Sequence, residues 1–389
     1  MLIKELHLSG ILSFGLDTPP LSMRPLNVLI GPNGSGKSNL IETIGLLRSA
    51  PSKLAVPMRG TGGGVAEWIW KGDPQGQARI EVVVSNDRGD QPLRHCIEFT
   101  QVASRFELLD EWIENNQPFP GYEEPYFYYR YQKGHPMLAV YGDETRRQLQ
   151  RQDVALDESI LSQRRDPDLY PELTYLADYY SAIRLYREWS FGRSSVFRSP
   201  QSADLPGDRL EEDFSNLGLF LNHLRGIPAA KKLMLEHLHY LYEGLDDFDV
   251  RIKGGTVEVF LTEGDFVIPA SRLSDGTLRY LCLLAILCDP DPPPVICIEE
   301  PELGLHPDML PKLADLMCEA ADRTQLIITT HSDILVDAMS EDPESVVVVE
   351  KHDGKTTMNR LQEDTLKIWL EKYRLGQLWT RGEIGGTRW

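Results

Sequence analysis

Eight residues near the start of the chain, Gly31-Pro32-Asn33-Gly34-Ser35-Gly36-Lys37-Ser38, have the types and spacing of a phosphate cradle, G-x-x-x-x-G-K-[ST]. Glycines let backbone N–H groups turn inward around phosphate oxygens. A helix opening directly after them adds the partial positive charge of its N-terminus. In such a cradle Lys37 reaches the β and γ phosphates and Ser38 offers a hydroxyl to Mg²⁺. Asn33, Gly34, Ser35, Gly36 and Asn39 complete the candidate ATP-binding set with Gly31.

A second group lies far along the chain. Val295-Ile296-Cys297-Ile298 is an apolar run ending in Glu299-Glu300. Neighbouring strand positions point opposite ways. At a strand end, however, the chain turns, so that one carboxylate serves a metal and the next an attacking water. Leu326-Ile327-Ile328-Thr329-Thr330-His331 is a further apolar run that ends in a histidine, placed to bond a γ-phosphate or the water. A lone histidine at a strand end is more often structural. The order of cradle, double acid and histidine singles this one out. Leu273-Ser274-Asp275-Gly276-Thr277 opens an apolar helix, and either Ser274 or Asp275 suits its cap. The sharper expectation is that Ser274 and the helix N-terminus face a γ-phosphate held by another subunit.

The elements that must position these groups are legible in outline. Leu2–Leu8 alternates apolar and polar residues, the pattern of a half-buried edge strand. Leu26–Ile30 reads as a short buried strand and residues 38–48 as a helix. Runs at Val65–Trp70, Ala78–Ser85, His95–Thr100 and Pro125–Tyr131 alternate with turn signals and predict an antiparallel β layer. Loops are expected at 50–64 and 116–125. From 143 to 245 the texture is helical, with Tyr175, Leu176, Tyr179, Ile183 and Tyr186 at helical spacing, then Leu217, Phe220, Leu221 and Leu224. The stretch 192–213 reads as an exposed loop. Residues 248–268 predict a hairpin turning at Gly254-Gly255. Helix 276–288, strand 295–298, helix 308–321, strand 325–329, a further helix and strand, and a C-terminal helix follow. Strands alternating with helices imply a parallel sheet. The expected division is 1–142, an N-terminal lobe with the cradle and β layer; 143–245, a helical insert; 246–350, a C-terminal lobe; and 351–389, a helix and tail.

Composition narrows the class. The chain has 389 residues, 40 Lys+Arg against 59 Asp+Glu, a net charge of -19, and is 41% hydrophobic. That is the balance of a globular protein with a core of its own. A surface this acidic repels phosphate backbones on average, so nucleic-acid binding would need a local basic groove. No apolar run approaches a membrane span, and no signal-peptide core opens the chain. The 5 cysteines, with no CxxC pair, point away from a disulfide framework or a cysteine zinc site and toward a reducing, cytoplasmic setting.

Taken together, GPNGSGKSN, LSDGT, ICIEEPELGLHP and IITTHS resemble an ABC-type ATPase of the RecF/SMC branch. Among these the closest likeness is to stand-alone bacterial ATPases related to the OLD nucleases. The resemblance covers residues 1–48 and 270–350; the middle agrees in texture only. It implies an α/β fold: an ABC-type P-loop ATPase head with a central parallel sheet, an antiparallel β layer and an inserted helical lobe. It implies a homodimer sandwiching ATP and Mg²⁺. Lys37 and Ser38 would act in one subunit, with Ser274 and Gly276 coming from the other. Glu300 would be the general base or water-orienting acid, Glu299 the metal-side acid and His331 the switch histidine, with Glu302–Pro307 along the dimer seam. Two departures stand out: Glu299 replaces the usual aspartate, which makes slow turnover the expectation, and LSDGT replaces LSGGQ. Gln163 is the candidate for the glutamine of the Mg²⁺ shell, with Gln101 as rival. OLD-like relatives carry a Toprim nuclease. Only about forty residues follow the last recognised strand, Ser345–Glu350, so a nuclease effector is expected in a partner chain of an anti-phage system. Gly376–Trp389, with exposed-looking Trp379 and Trp389, reads as a docking tail or as a tail packed on its own domain. The alternative is a RecF-like DNA-repair ATPase binding DNA through Arg164, Arg165, Arg184, Arg187, Arg193 and Arg198. A membrane-transporter subunit is disfavoured by the absent LSGGQ.

Overall fold

In the computed structural model the described residues are 2–59, 63–73, 75–132, 135–141, 147–148, 154–155, 157–190, 192–241 and 244–387. The chain opens with β1 (Ile3–Ser9), β2 (Leu21–Ser22), β3 (Leu26–Ile30), α1 (Lys37–Ser49) and α2 (Val65–Trp68). Next come β4 (Gln77–Val84), β5 (Leu93–Val102), β6 (Arg105–Asn115), β7 (Phe127–Gln132), β8 (His135–Leu138) and β9 (Arg147–Gln148). These lead to α3 (Ile160–Gln163), α4 (Pro171–Ala182), β10 (Arg184–Tyr186), β11 (Gln201–Ser202), α5 (Leu217–Arg225) and α6 (Pro228–Leu241). The second half runs β12 (Asp247–Lys253), β13 (Thr256–Glu263), β14 (Phe266–Pro269), α7 (Asp275–Leu287), β15 (Val295–Glu299) and α8 (Leu310–Ala321). It ends with β16 (Gln325–Thr329), α9 (Asp333–Ala338), β17 (Val346–His352), β18 (Lys355–Arg360), α10 (Glu363–Leu370) and α11 (Leu375–Thr380).

Two compact units result. The first comprises Met1–Ile183, Glu344–Gln362 and Ile384–Trp389. Its antiparallel layer has the order β2-β1-β4-β5-β6-β7-β8-β9. β1 buries Leu6 and Leu8 at alternate positions, and Ile3 is buried as well beyond a register shift between Ile3 and Glu5. It is flanked on the outside by the two-residue β2, so it is not the edge. β3 is buried throughout and pairs in parallel with β17, Val28 opposite Val346 and Ile30 opposite Val348. β18 runs antiparallel along β17. A polar knot ties the layer to the helices behind it: buried Glu111 accepts from Ile160 N at 2.9 Å and from the Ser159 hydroxyl, capping α3. His95 joins that knot, with Nε2 3.3 Å from Glu111 and Nδ1 3.0 Å from the Tyr180 hydroxyl.

The second unit comprises Arg184–Pro343 and Glu363–Glu383. β10, β15 and β16 form a parallel ladder. The apolar runs of β15 and β16 are buried, as parallel strands covered on both faces are. α7 is the most apolar helix, with Leu278 to Leu287 all buried. β12 and β13 turn at Gly254 and Gly255, both with positive φ, as a tight hairpin demands. β14 continues the hairpin as a further strand on β13.

Several expectations are corrected. Val65–Trp70 is not a β run: Val65–Trp68 is a single helical turn, too short for periodicity to distinguish. Ile183 and Tyr186 do not continue a helix. α4 stops at Ala182, Ile183 turns extended (ψ 139), and Arg184–Tyr186 becomes β10. The C-terminal helix is two, α10 and α11. Trp379 is 8% exposed, and Gly376 packs so closely on Asp333 that a Cβ would sit 2.1 Å from its carbonyl oxygen. That segment is therefore packed on its own unit; Trp389 and the expected boundary at 142/143 lie outside the described residues. Among the described residues no helix is long and apolar enough to cross a membrane.

Candidate nucleotide site

The cradle of the first unit sits at the carboxyl end of β3, where parallel strands open toward ligands. Gly31, Gly34 and Gly36 have φ of 148, 79 and 113°, conformations that L side chains rarely adopt. Gly31 also passes close to β17, where a Cβ would lie 2.0 Å from the Val349 carbonyl oxygen. α1 opens with no acidic residue in its first turn, so its N-terminal N–H groups face no carboxylate of that turn. Lys37 is 6% exposed, and its ammonium folds back onto the carbonyls of Gly31 (2.7 Å) and Pro32 (3.2 Å). Ser35 is 1% exposed and its hydroxyl has no hydrogen-bond partner. An orphaned buried hydroxyl and a lysine curled inside a glycine turn are what a phosphate group would satisfy. Ser38 and Asn33 are exposed; Asn39 donates to the Ser13 hydroxyl at 2.7 Å.

Gln163, the last residue of α3, is committed locally. Its oxygen accepts from Ala155 N at 2.8 Å, and its amide donates to the carbonyls of Glu158 and Ser159. Gln101 lies on β5 and lines an open cavity of about 560 Å³ with Trp70 and Lys71.

In the second unit the parallel register places Glu299 opposite Thr329. Glu300 and His331 therefore emerge at the same carboxyl edge of neighbouring strands, with His331 Nε2 3.6 Å from Glu300 Oε1. Glu300 turns through a left-handed conformation (φ 46°) directly after the last residue of β15. Two contacts hold that turn: Glu300 N donates to Thr329 O at 3.0 Å, and Arg279 Nη2 donates to the Glu300 carbonyl at 2.6 Å. Arg279 is 4% exposed, lies 4.3 Å over the Trp189 ring, and is pulled down by burial to a pKa of about 10, so it stays charged near neutrality. Trp189 donates to the Glu299 carbonyl at 2.9 Å. Arg187 Nε lies 3.2 Å from Glu299 Oε1. Glu302 accepts from Thr330 Oγ1 and His331 N, fixing the backbone beneath the histidine. Arg279 and Trp189 were not singled out in the sequence, and Arg187 was named only as part of a basic strip for DNA. Arg279 had a signal, the one charge inside the apolar run Leu278–Leu287.

Ser274 caps α7, accepting from Thr277 N at 3.0 Å. Asp275 instead turns to Arg198 and Gly192 N, and the Arg198 hydrogen bond holds its carboxyl below the usual carboxylate range. Gly276 passes close to Gly304, where a Cβ would meet its carbonyl oxygen at 2.7 Å. Ser274, Gly276, Gly304 and His306 line one cavity of about 320 Å³.

A family model described as "AAA domain, putative AbiEii toxin, Type IV TA system" matches residues 26–337. No curated protein matches the sequence. Among solved structures, the chain resembles an SMC head bound to the C-terminal winged-helix domain of ScpA: 16% identity, TM-score 0.59, covering 93% of this chain and 99% of that one. It also resembles the Smc head domain with an extended coiled coil bound to the C-terminal domain of ScpA from Pyrococcus furiosus: 17% identity, TM-score 0.59, 95% and 98% covered. The Smc head domain from Pyrococcus yayanosii is similar at 14% identity and TM-score 0.53, with 95% and 99% covered. The fold is therefore that of an ABC-type ATPase head, α/β with parallel ladders and an antiparallel layer.

Proposed function

The chain belongs to this family of AAA domains, and from that premise we propose that it is an ATP-driven switch subunit. It binds and slowly hydrolyses ATP, pairs head-to-head with a second copy around the nucleotide, and controls a separate effector. The effector is a nuclease acting in trans in a bacterial anti-phage system. The observation that carries the reading is the pair Glu300 and His331, set side by side at the carboxyl ends of parallel strands.

In this reading Lys37, the loop amides and Asn39 bind the phosphates. Glu300 orients the attacking water and accepts its proton, and His331 bonds the terminal phosphate or that water. Ser38 and Glu299 are oxygen donors of the kind Mg²⁺ takes, and Gln163 joins them only by releasing its present bonds. When bound, the metal neutralises phosphate charge. Ser274 and Gly276 are offered to the nucleotide of the other copy, so ATP is a ligand with higher affinity for the closed pair. The direct DNA-binding alternative has less support. Arg165 is paired with Asp178, Arg187 with Glu299 and Arg198 with Asp275, and Arg164 bonds the Gln163 carbonyl. Those four do not stand as an unengaged basic strip.

The test compares particle size and ATPase rate of wild type and Glu300→Gln, with and without ATP and Mg²⁺. Turnover in the variant is expected to fall at least about a hundredfold, with ATP retained and a stable dimer appearing only with ATP. A variant that hydrolyses normally, or a size that never depends on nucleotide, sinks the assignment of Glu300 or of the Ser274 face.

A further inference from the structure

Behind the phosphate loop, within the first unit, four polar groups from separate stretches of chain meet in a line. Asn39 Nδ2 is 2.7 Å from Ser13 Oγ, Ser13 Oγ is 2.7 Å from Thr356 Oγ1, and Thr356 Oγ1 is 2.7 Å from the carbonyl oxygen of Ser35. Thr356 N also donates to the Ser13 carbonyl at 2.8 Å. Thr356 is 1% exposed and Ser13 6%, so the line runs through the interior.

The direction of the protons is forced. A carbonyl oxygen only accepts, so the single hydroxyl proton of Thr356 goes to Ser35. Thr356 Oγ1 must then accept from Ser13, whose own proton is thereby committed. Ser13 Oγ in turn accepts from Asn39, which fixes the amide nitrogen of Asn39 as the atom facing it. Every member of the line polarises the next in the same sense.

The line ends on a peptide bond. In a planar trans peptide the carbonyl and the following N–H point in opposite directions. Holding the Ser35 carbonyl toward Thr356 therefore holds the Gly36 N–H on the far side, away from β18. Gly36 is where the loop must come this close, since a Cβ there would meet Thr356 Oγ1 at 2.3 Å and Ser13 Oγ at 2.8 Å.

We propose that Thr356 is a positioning residue of the nucleotide site, its hydroxyl fixing the Ser35–Gly36 peptide so that the Gly36 amide faces phosphate. This rests on the phosphate-loop reading above and deepens it. Thr356 acts through Gly36 and touches no phosphate itself.

The experiment measures ADP affinity of the full chain, and the amide spectrum of ¹⁵N-glycine-labelled protein, for wild type, Thr356→Val, Thr356→Ser, Ser13→Ala and Lys37→Ala. Thr356→Val keeps the shape and removes the hydroxyl, and is expected to weaken ADP about tenfold. Thr356→Ser restores affinity to within about twofold, because the hydroxyl is kept. Ser13→Ala falls between them, and serves if the valine variant fails to fold. On ADP addition one glycine amide is expected to move downfield in wild type and Thr356→Ser but not in Thr356→Val. A merely structural support would lower the melting midpoint and leave that bound-state shift intact. Full ADP affinity and an unchanged shift in Thr356→Val or Ser13→Ala, beside an impaired Lys37→Ala, overturn the inference alone. A wild type indifferent to ADP, or a Lys37→Ala that binds it equally well, overturns the phosphate-loop reading and the inference with it.

Discussion

Glu299, the metal-side acid of the proposed reading, has one methylene more than the aspartate it would replace, and its carboxylate is engaged by Arg187 at 3.2 Å. A cation on that carboxylate opposes a second one. Replacing Arg187 with glutamine is expected to lower the Mg²⁺ concentration for half-maximal ATP binding about threefold to tenfold, the size of a partly exposed charged contact. An unchanged or higher Mg²⁺ requirement would mean that Arg187 supports the site. Its neighbour Glu300 adopts a left-handed turn that costs a non-glycine residue about 1 kcal/mol, and Arg279 holds it there. Arg279→Met is expected to cut turnover about tenfold or more while leaving ATP affinity within about twofold, since it disturbs only the orientation of Glu300; parallel losses in both would point to general damage. At this scale the sequence was informative wherever chemistry demands a fixed spacing. The phosphate loop, double acid and histidine all stand at strand ends. Trp189, Ser13 and Thr356 were illegible, and Arg187 was read only as one of a basic strip, because each is a single residue brought in by tertiary packing and belonging to no local pattern.

The strands differ in the same way. β4, β5 and β7 were legible from their alternation, whereas β6 was not, because Glu107, Asp110, Glu111 and Glu114 break its apolar rhythm. In the structure two of those acids have work: Glu111 caps α3, and Glu114 pairs with Arg94 and Arg130. Asp110 is the exception. It sits opposite Glu98 on β5, with one buried carboxylate oxygen lacking a partner, and burial followed by Glu98 raises its pKa to about 6. A carboxyl whose folded pKa lies above its unfolded value binds its proton more tightly in the native state. It therefore lowers stability as pH rises from about 4 to about 6 and leaves a constant penalty above that. Asp110→Asn is expected to raise the urea midpoint at pH 8, with a smaller gain at pH 5. Asp110 is only partly buried, so the gain is of order 1 kcal/mol rather than the full linkage value. A gain that grows as pH falls would contradict the sign. β18 was unread because Lys355-Thr356-Thr357-Met358-Asn359-Arg360 carries one apolar residue, and β10 because three residues are too few to show a period.

For the molecule as a whole, the chain passes between the two units at residues 183/184, 343/344, 362/363 and 383/384. Every residue proposed to touch nucleotide, metal or water lies before Pro343, yet the first unit is completed by Glu344–Gln362, which carries Thr356. A chain ending at Pro343 keeps Lys37, Ser274, Glu299, Glu300 and His331 but loses β17 from beside β3 and Thr356 from beneath Ser35. It is expected to be poorly folded and to bind no nucleotide, as read by melting and ADP titration; normal binding would show that the strand pair is dispensable.

The hydrogen bond from Thr356 to Ser35 spans 321 positions of sequence. At the usual pace of synthesis, the phosphate loop leaves the ribosome roughly 15 to 65 s before its support does. Through that interval the motif is covalently present and conformationally unset. On the proposed reading a nascent chain that lacks Thr356 would therefore hold nucleotide more weakly than the completed unit. The nucleotide becomes a full-strength ligand only once Thr356 has joined the first unit, so tight binding would report that these two distant stretches of chain have met.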